Sequence, residues 1–66
     1  MDFTVPVHIA INKTQQVLSV RCELMETVWT CQAIRYPDAI GVNIDLQAAI
    51  KEVVDNVKKN LTLVEN

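Results

Sequence analysis

The side chains best suited to chemistry in this chain are two cysteines and one histidine. Cys22 and Cys31 lack the C-x-x-C spacing of redox and zinc motifs, and His8 adds a single further nitrogen ligand. A four-ligand zinc site would therefore have to recruit carboxylates or another chain. No nucleophile or orienting carboxylate stands at a recognisable spacing from His8. We expect no metal site, no cofactor and no catalytic residue, and hence a protein that is not an enzyme.

Both cysteines have a second interpretation. Placed opposite each other on neighbouring strands, they could form a disulfide. A free cysteine also behaves as a small buried hydrophobe. We favour the reduced, buried form because no secretion signal accompanies the pair. His8 could be a pH-sensitive group, but an exposed structural histidine is the simpler interpretation.

Alternating apolar residues predict three strands in the first half of the chain. Pro6 cannot donate a ladder hydrogen bond, which favours an edge position for the first strand or an outward-facing nitrogen. Residues 12–16 are polar and predict the first turn, and Met25-Glu26-Thr27 predicts the second, centred on Glu26-Thr27. The inward rows are Phe3, Val5, Val7, Ile9 and Ile11, then Leu18, Val20, Cys22 and Leu24, then Trp29, Cys31 and Ala33.

Directly opposed residues of antiparallel strands share a face, so the apolar rows constrain the register. For the first hairpin we predict the pairs Ile11–Leu18, Ile9–Val20, Val7–Cys22 and Val5–Leu24. For the second we predict Leu24–Trp29, Cys22–Cys31 and Val20–Ala33. Both hairpins then present one common apolar face.

The second half of the chain predicts a turn followed by a helix. Pro37 and Asp38 suit the centre of a turn, and we expect Gly41 to adopt positive φ. Residues 42–44 either add a short strand or bring the chain back across the sheet. Asp45 is the expected N-cap. The helix presents an apolar face of Leu46, Ala49, Ile50, Val53, Val54, Val57 and Leu61.

These elements predict an α+β fold, a three-stranded antiparallel meander with one C-terminal helix packed on one face (βββα). We expect a single small domain over residues 1–66, with residues 62–66 as a frayed tail. A core is marginal at 66 residues. We therefore expect a homodimer or an obligate protein partner, using the outer sheet face or an exposed strand edge.

Charge and hydropathy exclude several classes of protein. The net charge of −2 and the scattered basic residues argue against a nucleic-acid binder. No basic N-terminal region or long apolar stretch indicates a secretory signal or a membrane span. We expect a cytoplasmic protein without a small-molecule substrate.

The outer sheet face and the turn after the third strand are the expected binding surface. Tyr36 stands beside the Pro37 turn and is a residue type enriched in binding hot spots. The expected partner-binding residues are Tyr36, Arg21, Glu23, Arg35 and Ile34.

The segment Tyr36-Pro37-Asp38-Ala39-Ile40-Gly41, followed by Asp45-Leu46-Gln47-Ala48-Ala49-Ile50, resembles part of the HicB-type antitoxin domains. In that family a strand ends in an aromatic-Pro-Asp-x-x-Gly turn before the helix. The chain departs from the pattern at Ile40, where a second proline is common, in its helix start, and in having an extra strand before the motif. The resemblance implies a compact domain that inhibits a partner ribonuclease, and no site residue is carried over from it.

Our leading hypothesis is a small non-enzymatic protein-interaction module, an antitoxin-like or phage-type inhibitor of a larger protein. A nucleic-acid-binding module using the outer sheet face is one alternative. A structural subunit of a homo-oligomer is the other.

Overall fold

The structure is a computed structural model that describes residues 1–64, without the side chains of residues 62–64. The strands are β1 (Asp2–Ile11), β2 (Thr14–Met25), β3 (Val28–Ala33) and β4 (Ile40–Asn43), and the helix is α1 (Leu46–Val64). The strands form one antiparallel sheet in the order β1-β2-β3-β4. Helix α1 packs mainly on β3 and β4. The predicted α+β meander with a packed C-terminal helix is confirmed.

The sheet has four strands in the described part of the chain, so the predicted count of three is wrong. Strand β4 pairs with β3 and places Gly41 opposite Cys31. Its apolar residues Ile40 and Val42 are exposed, whereas the residue that faces the core is a glycine. Strand β4 therefore lacks the alternation of buried apolar and exposed polar residues that marks a half-buried strand. This explains why the segment was ambiguous in the sequence.

The register of the first hairpin also differs from the prediction. Val5 pairs with Val20 and Phe3 with Cys22, instead of Ile9 with Val20 and Val7 with Cys22. The turn consists of Asn12 and Lys13 alone, with φ angles of 53° and 66°. Positive φ at both central residues is typical of a type I′ turn, whose twist matches that of the flanking strands. Residues 14–16, predicted as turn, therefore belong to β2.

All three predicted pairs of the second hairpin are confirmed. Leu24 lies opposite Trp29, Cys22 opposite Cys31, and Val20 opposite Ala33. Both cysteines are free and fully buried. The inward rows of β2 and β3 share the core with the helix residues Ala49, Val53 and Val57.

Helix α1 begins as expected, after Asp45. The backbone N–H of Gln47 donates to Oδ1 of Asp45 at 3.4 Å, which satisfies one of the orphan amides at the helix start. The helical backbone then continues to Val64. The frayed tail expected for residues 62–66 stays a prediction, and its last two residues lie outside the described part of the chain.

Gly41 is needed for close packing, and the expectation of positive φ is wrong. It lies in β4 directly beneath α1. A Cβ built on Gly41 would collide with the backbone carbonyl oxygen of Ala49 and would lie 2.9 Å from Cβ of Glu52. The missing side chain therefore allows α1 to approach the sheet closely.

Candidate interaction surface

Two backbone hydrogen bonds show which way each residue of β2 points its N–H and C=O groups. The amide of Leu24 donates to the carbonyl of Met1 at 3.0 Å, so the even-numbered residues of β2 pair with β1. The amide of Ile34 donates to the carbonyl of Ser19 at 3.0 Å, so the odd-numbered residues face β3. The same alternation directs the even-numbered residues of β1 toward its free edge.

Side chains of the helix cap the free edge of β4. The amide of Val42 donates to Oε1 of Glu52 at 3.2 Å. The side-chain amide of Asn43 donates to Oε2 of Glu52 at 3.0 Å, and that of Asn56 donates to the carbonyl of Ile40 at 2.9 Å. Two of the backbone groups that a further strand would use, the N–H of Val42 and the carbonyl of Ile40, are therefore already bonded.

The free edge of β1 is interrupted by Pro6. This residue is even-numbered and pairs with Ser19 at a position whose N–H would face solvent. The edge therefore lacks one donor near its middle, and the proline ring occupies that place. The expectation that Pro6 stands on an edge strand is confirmed.

In the described part of the chain, the outer half of β2, residues 14–18, has no strand paired with it on its β3 side. The ladder between the two strands ends at Ser19 and Ile34, where the chain bends away. The bend is held by three hydrogen bonds, from the amide of Ala33 to the carbonyl of Ala39 (3.1 Å), from the amide of Ala39 to the carbonyl of Tyr36 (2.9 Å), and from Nε2 of Gln32 to the carbonyl of Pro37 (2.8 Å). Pro37 and Asp38 therefore occupy the centre of a turn, as predicted.

The bend leaves a groove of about 340 Å³ along β2. We call it the β2 groove, and its lining residues are Gln16, Val17, Leu18, Ser19, Ile34, Arg35 and Tyr36. Val17 and Ile34 are 60% and 58% exposed. Arg35 is also exposed, whereas Tyr36 is half-buried and packs against the core. The groove thus combines apolar contact area with one cationic group and one aromatic ring.

Three of the five residues predicted to bind a partner, Ile34, Arg35 and Tyr36, come together in this groove. Arg21 and Glu23 lie elsewhere on the outer face. Nη2 of Arg21 lies 2.8 Å from Oδ2 of Asp2 in an ion pair with both side chains more than half exposed, and Glu23 is exposed beside it. Gln16 was predicted as part of a turn, and its place in the groove follows from the start of β2 at Thr14.

A second apolar surface lies on the outer face near β4. We call it the outer strip, and it consists of Met25, Ile40, Val42 and Ile44, which are 57%, 44%, 53% and 75% exposed. Thr30 of β3 pairs with Val42 on this face. The strip contains no charged residue, which is the composition found at the centres of protein interfaces.

The two cysteines lie apart from both surfaces, whereas His8 stands on the outer face directly opposite Val17 of the β2 groove. Burial, together with the neighbouring Cys22 thiol and the Glu52 carboxylate, raises the pKa of Cys31 to about 12. A thiol held protonated in this way is a poor nucleophile. His8 is exposed on the outer face. Among residues 1–64, no group of three or more His, Cys, Asp and Glu side chains could hold a metal ion.

The chain matches no protein-family model, no curated protein and no solved structure. The resemblance to HicB-type antitoxin domains therefore stays a prediction. In the described part of the chain, α1 is not apolar enough to cross a membrane.

Proposed function

We propose that this protein is a small non-enzymatic interaction module that binds a larger protein through the β2 groove. The observation that carries the proposal is the convergence of Ile34, Arg35 and Tyr36 beside an unpaired stretch of β2. Tyrosine and arginine are the side chains that most often dominate binding energy, and Ile34 and Val17 add exposed apolar area. We expect the bound partner to be inhibited, as the resemblance to antitoxin domains implies.

Nucleic acid is a less favoured ligand for this protein. Arg21 is engaged by Asp2. Phe3 and Trp29 pack edge to face with ring centroids 5.6 Å apart, on the side of the sheet that carries the core. They are therefore not arranged as an outward platform on which bases could stack.

The proposal is tested by affinity purification from a native lysate with a matched pair of variants. Arg35→Glu reverses a charge in the groove, whereas Lys51→Glu makes the same charge change at an exposed position of α1. We expect one partner to be recovered with the wild type and with Lys51→Glu but lost with Arg35→Glu and with Tyr36→Ala. Recovery of the same partner by all four proteins, or of none by the wild type, would contradict the proposal.

A structural subunit of a homo-oligomer is the second candidate function, because the outer strip exposes uncharged apolar side chains. A dimer through this strip would dissociate when Val42 is changed to Lys, and sedimentation velocity would show the loss of mass. The matched control is Thr4→Lys, on the same face but outside the strip. A wild-type protein that sediments as a monomer at high concentration rules out this candidate.

A further inference from the structure

We infer that the β2 groove accepts an extended, acidic segment of the partner, which adds to the sheet as a short strand beside residues 15–17. This inference rests on the proposed function and specifies how the partner is held. Strand addition uses backbone hydrogen bonds for affinity and side-chain contacts for specificity.

The backbone of β2 supplies the hydrogen-bonding groups for such a strand. Gln15 and Val17 are odd-numbered, so their N–H and C=O groups point away from β1 and toward the side where β3 would lie. Continuing the ladder beyond Ser19 and Ile34 would place Tyr36 opposite Val17, but the chain has already turned at Tyr36-Pro37-Asp38-Ala39. Within residues 1–64 these groups of Gln15 and Val17 have no backbone partner.

The other exposed edges of the sheet are less suitable for strand addition. Glu52 and Asn56 bond the outward groups of β4, and Pro6 interrupts the outward groups of β1. Among residues 1–64, the stretch beside residues 15–17 is neither capped by helix side chains nor interrupted by proline, and it adjoins the β2 groove.

The charge of the groove indicates the chemistry of the segment. Arg35 is the charged residue among those that line the groove, and its guanidinium is exposed. Arginine binds carboxylates through paired hydrogen bonds, so an Asp or Glu of the partner fits beside it. Val17 and Ile34 lie on the outer face and offer contact to an apolar side chain two residues away along an extended segment.

The probe for this inference is a displayed library of random dodecapeptides selected against the tagged protein. We expect enriched peptides to carry at least one acidic residue in an alternating apolar pattern. Adding a synthetic copy of an enriched peptide to the wild type should slow the hydrogen exchange of the Gln15 and Val17 amides. Failure to enrich any peptide, or slowed exchange confined to other strands, overturns the inference.

Val17→Pro tests the backbone contribution directly. It removes the outward N–H of Val17 and leaves the ladder to β1 intact, because that N–H does not face β1. Pro6 already occupies an equivalent position in the opposite strand, so the hairpin should still fold, which amide NMR would verify. Loss of the hydrogen bond that the Val17 N–H would donate should weaken peptide binding roughly five- to tenfold.

Val17→Ala is the matched control, because it keeps the N–H and removes the apolar side chain. Equal binding of the peptide to Val17→Pro and Val17→Ala would overturn strand addition. If Val17→Pro fails to fold, Arg35→Glu provides the test. The wild type should bind acidic peptides more tightly than the same peptides with lysine in place of the acidic residue, and Arg35→Glu should abolish this preference. An unchanged preference would overturn the inference.

The outcomes also separate this inference from the proposed function. If partner recovery depends on Arg35 and Tyr36 but is unaffected by Val17→Pro, the groove binds its partner through side chains and strand addition is wrong. If the wild type forms a dimer that Val17→Pro dissociates, the β2 groove binds a second copy of this chain. The inference of an acidic partner segment is then wrong.

Discussion

The two regions of the sheet that flank β3 differ in how their backbone groups are satisfied. At β4, the Glu52 carboxylate accepts from the Val42 amide and from the Asn43 side chain, and the Asn56 side chain donates to the carbonyl of Ile40. At the outer half of β2, the groups of Gln15 and Val17 stay open because the chain turns away after Ile34. The comparison teaches that side chains of the helix cap the edge of β4, whereas the path of the chain after Ile34 leaves the edge of β2 available.

The two regions also differ in packing. The helix packs mainly on β3 and β4, and its residues Val53 and Val57 are fully buried, whereas Val17 and Ile34 of the β2 groove are exposed. Substitutions near β4 should therefore mainly change the free energy of unfolding, whereas substitutions in the β2 groove should mainly change binding to a partner.

The largest effect is expected for Gly41→Ala, which tests the close contact between β4 and the helix. The added Cβ collides with the backbone carbonyl of Ala49, so the helix must move. We expect a loss of about 3 kcal/mol in the free energy of unfolding, measured by urea denaturation. Val42→Ala, at the exposed neighbouring position, should cost less than about 1 kcal/mol. Similar losses for both variants would show that the helix does not pack closely on Gly41.

The second effect concerns pH, because Cys31 is buried beneath the helix with a pKa raised to about 12 from the usual 9.0. Above pH 9 the unfolded chain releases this proton while the folded chain retains it. The contribution of this thiol to the free energy of unfolding is therefore fully present below pH 9, and it decreases as the pH rises toward 12. Denaturation across this range should show a shallower decline for Cys31→Ala than for the wild type. Parallel curves would contradict the burial of this thiol.

A smaller effect is expected for Glu52→Ala, which opens the capped edge. The carboxylate accepts two hydrogen bonds from β4, and its loss should cost roughly 1 to 2 kcal/mol. Hydrogen exchange of the Val42 amide should accelerate accordingly. Glu23→Ala removes an exposed carboxylate of the outer face and should leave this exchange rate unchanged. Unchanged exchange in Glu52→Ala would show that the cap does not protect β4.

The smallest effect on stability is expected for Pro6→Val, which restores a donor to the edge of β1. Strand β1 would then present an uninterrupted row of N–H groups, and self-association should increase in sedimentation experiments. Thr4→Val adds a similar apolar side chain to the same face without a new N–H, and it should not promote association. Equal behaviour of the two variants would show that Pro6 does not block the edge.

Much of the fold could be predicted because the alternation of apolar residues assigns each strand residue to a face. This is why the second hairpin was predicted pair by pair and the inward rows of β1 and β2 were correct even where their register was not. A register shift by an even number of residues keeps every side chain on its own face, so alternation alone cannot detect it. The deciding signal was the two-residue turn at Asn12-Lys13, which lacks the glycine that usually marks a type I′ turn.

The candidate site was predicted only in part. Ile34, Arg35 and Tyr36 were identified from residue type and from their position before the Pro37 turn, and they do lie together. Gln16 of β2 was missed because residues 14–16 are polar, which predicted a turn there. Arg21 and Glu23 were placed on the correct face but away from the groove.

The amino-acid sequence by itself determined the faces of the strands, the helix and the burial of both cysteines, because hydrophobic burial acts through a period that is visible in the chain. Only the tertiary structure decided the register of the first hairpin, the existence of β4 and the open stretch of β2. Each of these depends on where the backbone hydrogen bonds of distant segments meet. Gly41 lets the helix descend onto β4, and the helix side chains then close one edge of the sheet and leave the β2 groove free.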